Sequence, residues 1–195
     1  DIDRPEDIDA IRHDPRFADV FSKEPAISIV IPTLNEADNI RQTLTRALGT
    51  DNVEAIIVDA GSCDATREIG SDAGARVLEV AGGRARQMNV GAQLAKGRIL
   101  IFLHADTLLP DGFKQNVVRA LDNPAVVAGA FSFETDASGI MNRLFEIGTN
   151  RRCRRRQTPY GDQAIFMEKR VFFEMGGYAD MPIMEDYELV SRLRG

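Results

Sequence analysis

Three apolar runs in the first half of the chain each lead into polar or acidic residues. The run "AISIVI" is followed by Asn35 and Glu36, the run "EAIIVD" ends at Asp59, and "ILIFLH" is followed closely by Asp106. Carboxylates at such positions can hold a divalent metal ion or accept hydrogen bonds from a base or a ribose. Each acid alone is equally compatible with a buried strand that ends in a polar residue. The agreement of three runs favours a nucleotide site.

A pair of acids near the end of the chain could supply a general base. Glu185 and Asp186 stand within "PIMEDYEL", and a positioned carboxylate can take the proton of a hydroxyl as the oxygen attacks carbon. Two acids before "YELVSRL" also suit the electropositive first turn of a helix. The residues alone leave both interpretations open.

Two groups of basic residues could bind anions. Arg84 and Arg86 follow a glycine pair and could neutralise phosphate through charge-assisted hydrogen bonds. They could instead form a solvated helical turn, although cations at a helix N-terminus oppose the macrodipole. The cluster "RRCRRR" at 151–156 is either a solvated surface or a patch for anions or acidic membranes.

Strand-like runs that alternate with helical periodicity must position these side chains. This alternation predicts an α/β fold, with a mostly parallel central sheet and helices on both faces. Thr33 and Glu36 have capping-box spacing, which predicts a helix that opens just beyond the first strand. The predicted strands are residues 26–31, 54–59, 75–80 and 99–104, followed by 126–135 and 163–169.

Composition narrows the class of protein. The chain has 195 residues and a formal net charge of -6, which fits one α/β domain and argues against a nucleic-acid partner. No apolar run approaches the roughly 18 to 20 residues that span a bilayer, and the acidic, proline-broken N-terminus is unlike a signal peptide. We therefore expect a cytoplasmic protein without a transmembrane segment.

Five segments, in their order and spacing, resemble the family 2 glycosyltransferases, which have the nucleotide-sugar-binding GT-A fold. They are "ISIVIPTLNE", "IIVDAGSCDAT", "GGRARQMNVGAQLAKGRILIFLHAD", "GDQAIF" and "MEDYELVSRL". The chain is most similar to the bacterial subgroup associated with arsenosugar biosynthesis genes. The resemblance implies a single GT-A-like (Rossmann-like) domain over 26–195, complete or cut short at its C-terminus. Residues 1–25 resemble the end of a sugar nucleotidyltransferase-like domain, and so form an extension or the remnant of a preceding domain.

The resemblance also assigns chemistry to the acids. Asp186 takes the position of the family's catalytic base, with Glu185 beside it, which implies an inverting transfer of a sugar to an acceptor hydroxyl. Asp59 takes the position of the acid that recognises the nucleotide base, and Ala60 replaces the acid that usually follows.

The family's metal-supporting DxD element is incomplete in this chain. It reads His104-Ala105-Asp106, so Asp106 is the remaining candidate ligand for Mg²⁺ or Mn²⁺, with His104 as an outer ligand or hydrogen-bond donor. The implied donor-binding residues are Pro32, Thr33, Asn35, Glu36, Asp59, Gly61, Ser62, Arg84, Arg86, Asn89, His104 and Ala105. The implied acceptor residues are Gly161, Asp162 and Gln163.

The expected partners are a nucleotide-diphosphate sugar and an acceptor that the sequence does not identify, with peripheral membrane contact through 151–156 as a further expectation. Two other functions compete with this interpretation. A catalytically silent nucleotide-sugar-binding module is favoured by the incomplete DxD element. A nucleotidyltransferase has a related sheet, but "PTLNE" is not its glycine-rich basic loop.

Overall fold

The computed structural model describes residues 26–132, 163–181 and 183–193. Within these ranges the strands are β1 (Ile27–Thr33), β2 (Val53–Asp59), β3 (Arg76–Glu79), β4 (Ile99–Phe102), β5 (Ala128–Gly129) and β6 (Ile165–Glu168). The helices are α1 (Ile40–Ala47), α2 (Thr66–Asp72), α3 (Arg84–Leu94), α4 (Phe113–Leu121), α5 (Lys169–Glu174) and α6 (Glu185–Leu193).

The strands form one mostly parallel sheet in the order β3-β2-β1-β4-β6-β5. Strands β1 to β4 pair with one another in parallel, whereas β6 is antiparallel to both β4 and β5. In this register Thr33 lies opposite Asp59, so β1 and β2 end side by side. The predicted α/β fold is confirmed, and the carboxyl ends of these strands meet at one edge.

Apolar side chains from alternating positions build a core on each face of the sheet. One core joins Ile29 of β1 to Leu44 of α1 and Val117 of α4. The opposite core joins Val30 of β1 to Met88 of α3 and Phe172 of α5, and α6 adds Leu189 and Val190. Because both faces are covered, the central strands are mostly apolar, as is typical of parallel sheets.

A glycine allows α3 to approach the sheet closely. A Cβ added at Gly91 would lie 2.3 Å from Val30 Cγ1 and 3.1 Å from Val58 Cγ2. Overpacking a core in this way forces side chains or backbone to shift. The absence of a side chain at Gly91 therefore lets α3 pack closely against β1 and β2.

Two predicted boundaries next to the strand ends were wrong. Thr33 and Glu36 do not form a capping box, because Thr33 belongs to β1 and α1 begins only at Ile40. The strand expected over 99–104 ends at Phe102, before His104.

The strand expected over 126–135 is two residues long within the described part of the chain, while 133–135 lie outside it. Only Ala128 and Gly129 of this alternating segment pair with β6, at the edge of the sheet. In the described ranges no helix has the length and apolar character needed to cross a membrane.

Candidate functional site

The loops that follow β1 and β2 interlock through side chains. The Asn35 backbone N–H donates to Ser62 Oγ at 2.8 Å, and Asn35 Oδ1 accepts the Cys63 N–H at 2.8 Å. Asn35 adopts a left-handed backbone with φ of 56°, which asparagine tolerates better than most residues. Asn35 and Ser62 thus hold the two loops together.

Asp59 is the hub of this network. Its Oδ1 accepts the backbone N–H groups of Gly61 at 3.0 Å and Ser62 at 2.7 Å. Its Oδ2 accepts the hydroxyls of Thr33 at 2.8 Å and Ser62 at 2.5 Å. The side chain has no exposed surface. Burial raises the pKa of Asp59, but the hydrogen bonds from Ser62, Thr33 and Gly61 outweigh burial and lower it overall.

The Asp59 carboxylate is therefore enclosed by the loop and does not line the cleft between the strand ends and the N-terminus of α3. The next residue, Ala60, does line this cleft. The carboxylate expected to recognise the base therefore organises the loop, and the residue that faces the cleft carries a methyl group. Gly61 and Ser62, also expected at the donor, serve the same loop with their N–H groups and, for Ser62, its hydroxyl.

Two residues that sequence reasoning missed start α2 within the same network. Asp64 Oδ1 accepts the Thr66 N–H at 3.0 Å, which is an Asx turn directly before the helix. Thr66 Oγ1 in turn accepts the Glu36 N–H at 2.8 Å. The hydrogen bonds to Thr66 and Ala37 lower the pKa of Asp64, the bond from the Thr66 hydroxyl contributing most. An aspartate two residues before a threonine, as in "DAT", is the sequence signal for this turn.

The cleft has a volume of about 470 Å³, within the range of small-molecule sites. Five of the predicted site residues line it: Pro32, Thr33, Glu36, Arg84 and Glu185. The other lining residues are Leu34, Ala60, Gly82, Gly83, Gln87, Ile183 and Met184. A separate cleft of about 510 Å³, between α1 and α4, contains none of the predicted site residues.

Gln87 is a lining residue that the sequence did not single out. Its Nε2 donates to the carbonyls of Thr33 at 3.0 Å and Val58 at 2.6 Å. Gln87 lies one turn after Arg84 on α3, and it is buried. The amide therefore ties the first turn of α3 to the ends of β1 and β2, beside the cleft.

An ion pair joins the first residues of two helices across the cleft. Arg84 Nη1 lies 3.5 Å from Glu185 Oε1, and the side chains are 52% and 4% exposed respectively. Arg84 can thus reach solvent in the cleft while Glu185 stays buried behind it. Arg86 is exposed on the same helix but does not line the cleft, because two residues turn it about 200° around the helix axis.

Asp186, which follows Glu185 on α6, does not line the cleft. Asp186 is 7% exposed and lies beside Tyr178 rather than among the cleft-lining residues. Burial raises the pKa of Tyr178 well above its ordinary value, and the charge of Asp186 raises it further. Asn89, expected at the donor, is bound to the protein: its amide pairs with the Tyr178 backbone N–H and C=O, each at 2.9 Å.

The incomplete DxD element follows β4, beside the carboxyl end of β1. Ala105 is buried, and its carbonyl accepts the Thr43 hydroxyl at 2.6 Å, so its side chain belongs to the core. His104 is half-buried and Asp106 is exposed. The described ranges contain no cluster of three or more residues able to hold a metal ion. The donor set therefore fits a divalent cation only if diphosphate and water oxygens complete the coordination of Asp106.

The expected acceptor residues fall at the edge of the described ranges. Gln163 is buried, and its Nε2 donates to the Phe131 carbonyl at 3.2 Å. The Phe131 N–H donates back to the Gln163 carbonyl at 2.7 Å. Gln163 thus anchors the start of β6, while Gly161, Asp162 and the arginine cluster at 151–156 lie outside the described residues.

Solved structures share this architecture. The chain superimposes on TarS of S. aureus in complex with UDP-GlcNAc with a TM-score of 0.68, at 16% identity, over 85% of this chain and 52% of that one. It superimposes on a mannosyltransferase from Pyrobaculum calidifontis, in complex with GDP-Man and Mn²⁺, with a TM-score of 0.65. That match has 19% identity and covers 86% of this chain and 51% of that one. The fold is a GT-A-like α/β domain.

Sequence comparison narrows this class to a family. Residues 28–177 match the profile of the family described as "Glycosyl transferase family 2", and the chain belongs to that family. An uncharacterized glycosyltransferase of Rickettsia prowazekii is 32% identical over 111 residues, which cover 53% of this chain and 35% of the relative. The chain thus matches about a third of that curated relative and about half of each solved structure.

Proposed function

We propose that this chain is the catalytic domain of a glycosyltransferase that moves a sugar from a nucleotide-diphosphate donor to an acceptor hydroxyl. The observation that carries the proposal is the cleft at the strand ends, where Arg84 and Glu185 meet and the acid pair begins α6. Family membership and solved neighbours holding UDP-GlcNAc or GDP-Man support a nucleotide-sugar donor.

We assign Arg84 to the diphosphate. Its guanidinium is half-exposed in the cleft, and arginine binds phosphate through paired, charge-assisted hydrogen bonds. Glu185 lies behind Arg84 and orients it, so we assign Glu185 a positioning role rather than the catalytic one first expected. The N-terminus of α3, directly beside the cleft, adds backbone N–H groups that favour an anion.

Asp186 is our candidate for the general base. In the reaction, the acceptor oxygen forms a bond to the anomeric carbon as the bond from that carbon to the diphosphate oxygen breaks. The acceptor proton passes to the Asp186 carboxylate, and the nucleoside diphosphate leaves with the bonding electron pair. One displacement of this kind inverts the anomeric carbon. Arg84 stabilises the negative charge that develops on the leaving group.

Asp106 would hold a divalent cation together with the donor diphosphate. Mg²⁺ or Mn²⁺ bound there would neutralise charge on the leaving diphosphate. Asp106 is exposed at the sheet edge that ends β1 and β4, so its carboxylate is accessible to such an ion. The Mn²⁺ in the Pyrobaculum calidifontis neighbour supports this assignment.

A second candidate is a catalytically silent nucleotide-sugar-binding module. It is favoured by the single acid in His104-Ala105-Asp106 and by Asp186 being nearly buried. Both candidates predict binding of a nucleoside diphosphate, but only the enzyme releases it from a nucleotide sugar. Incubation of the chain with radiolabelled UDP-GlcNAc or GDP-Man and extracted acceptors, followed by measurement of free UDP or GDP, tests this difference.

The bacterial arsenosugar subgroup, the cytoplasmic location and the membrane contact through 151–156 stay predictions. The assignment of 1–25 to a preceding domain and of 26–195 to the catalytic domain is likewise a proposal.

A further inference from the structure

A buried tyrosine lies behind the acid pair of α6. Tyr178 is 3% exposed. Its ring meets Phe102 edge-on, with 4.9 Å between the ring centroids, and lies 5.6 Å from the Phe172 ring by the same measure. This packing fixes the ring, so the position of the Tyr178 hydroxyl is fixed as well.

The backbone of Tyr178 is held from two helices. Asn89 of α3 clamps its N–H and C=O, and Arg192 of α6 donates to the Gly177 carbonyl at 2.6 Å. Gly177 has φ of +71°, and a Cβ there would lie 2.6 Å from Asn89 Oδ1. A side chain at Gly177 would therefore break the clamp, and the glycine is required by the contact.

Tyr178 and Leu189 of α6 belong to one core cluster, and Asp186 lies three residues before Leu189 on the same buried face of that helix. The Tyr178 ring therefore packs against the side of α6 that carries the Asp186 carboxylate. Within the described residues the Tyr178 hydroxyl is buried and has no partner at full hydrogen-bond geometry. Burial and then the charge of Asp186 raise the pKa of Tyr178. Hydrogen bonds in unliganded sites are often long and tighten when substrate binds. Because Tyr178 stays protonated, its hydroxyl is a donor and the carboxylate is the acceptor.

We propose that Tyr178 is a positioning residue that orients the Asp186 carboxylate and favours its ionised form. This inference rests on the proposed role of Asp186 as the base. Among the described residues, Glu185 of α6 and Arg84 of α3, of opposite sign, are the charged groups besides Asp186 that act on Tyr178. Since these two also pair with each other, the Tyr178 hydroxyl is the neutral donor that distinguishes Asp186 from its neighbour.

The test is a carbon-13 NMR titration of the aspartate carboxyl groups, with the Asp186 resonance identified by its loss in D186N. Y178F removes the hydroxyl and keeps the ring. A hydrogen bond to a charged group corresponds to about one pH unit in a titration midpoint. We expect the Asp186 midpoint to rise by about one unit in Y178F, because the ionised form loses its donor.

Y187F is the matched control, because Tyr187 is exposed on the same helix, and its Asp186 midpoint is expected to equal that of the wild type. A second variant, N89A, keeps the hydroxyl but releases the turn, and should raise the midpoint in the same direction. Thermal melting verifies that each variant is folded. An Asp186 midpoint in Y178F equal to the wild-type value would overturn the proposal.

The titration uses no sugar donor, so its outcome is independent of the proposed function. If the wild-type chain transfers no sugar while the midpoint shifts in Y178F, the glycosyltransferase proposal fails and the coupling stands. If transfer requires Asp186 and the midpoint does not shift, the inference about Tyr178 alone fails.

Discussion

Arg84 Nη1 lies 3.5 Å from Glu185 Oε1, although the two residues are 101 positions apart in the chain. Each is the first residue of its helix, α3 and α6 respectively. The ion pair therefore brings together two segments that were predicted separately, one for the diphosphate and one for the acceptor chemistry. A cation at the start of α3 opposes the helix macrodipole, and Glu185 offsets that cost.

Arg84 and Arg86 should differ in their effect on diphosphate binding. We expect R84A to weaken the binding of a nucleoside diphosphate about 10- to 100-fold, the loss of one or two charge-assisted hydrogen bonds. R86A should change affinity less than about twofold, because its side chain does not line the cleft. Isothermal titration calorimetry at fixed ionic strength measures both. Equal losses in the two variants would contradict the assignment of Arg84.

Glu185 and Asp186 should also differ in their effects on sugar transfer and on diphosphate binding. D186N should abolish sugar transfer and leave diphosphate affinity nearly unchanged, because only the base is lost. E185Q should retain transfer but weaken diphosphate binding, because Arg84 loses the carboxylate that orients it. E174Q, an exposed acid on α5, is the control. Turnover by D186N at the wild-type rate would show that Asp186 is not the base.

Asp106 should carry the metal dependence of donor binding. In the wild type we expect Mn²⁺ to strengthen diphosphate binding, and in D106N we expect most of this gain to disappear. D111N is the matched control, since Asp111 is exposed and pairs with Arg46 away from the cleft. Calorimetric titrations with and without Mn²⁺ give the comparison. A gain from Mn²⁺ that is unchanged in D106N would assign the ion to other ligands.

Asp59 should matter for stability rather than for nucleotide contact. D59N should lower the free energy of unfolding by about 1–3 kcal/mol at pH 7, because an amide nitrogen would face N–H and hydroxyl donors. The lowered pKa of Asp59 means that its stabilisation is complete above the unfolded-state value of about 4 and is lost as the pH falls through the folded-state value.

Urea denaturation of the wild type and D59N at pH 7 and pH 3 measures this. The difference between the two proteins should shrink at the lower pH. D72N, at an exposed position at the end of α2, should stay within about 0.5 kcal/mol of the wild type. A D59N protein as stable as the wild type at pH 7 would show that the network around Asp59 is dispensable.

The sheet could be predicted because the sequence patterns that indicate its strands and helices are local. The apolar runs of β1, β2 and β4 and the periodic face of Ile40, Leu44 and Ala47 on α1 are visible in any short window, and the structure buries them. The directions of polar side chains depend on distant partners. Whether Asp59 turns into the loop or toward the cleft depends on a left-handed Gly61 and on Thr33 of another strand.

The direction of the Asn89 side chain on α3 likewise could not be predicted from the sequence. Its partner is the Tyr178 backbone, 89 residues away, and no spacing within the helix indicates that contact. The position of Asn89 beside Arg84 and Arg86 made a donor role plausible, but pairing across the molecule decides where the amide points. Gln87 was missed for the converse reason, since a polar residue on a helix is usually solvated.

The most direct test of a nucleotide-sugar site is calorimetric titration of the chain with UDP, GDP, ADP and dTDP, each with and without Mn²⁺, in the wild type and R84A. We predict that one diphosphate binds selectively, that Mn²⁺ strengthens its binding, and that R84A weakens it. Binding of none of the four to the folded chain, with or without the ion, would contradict the proposed donor site.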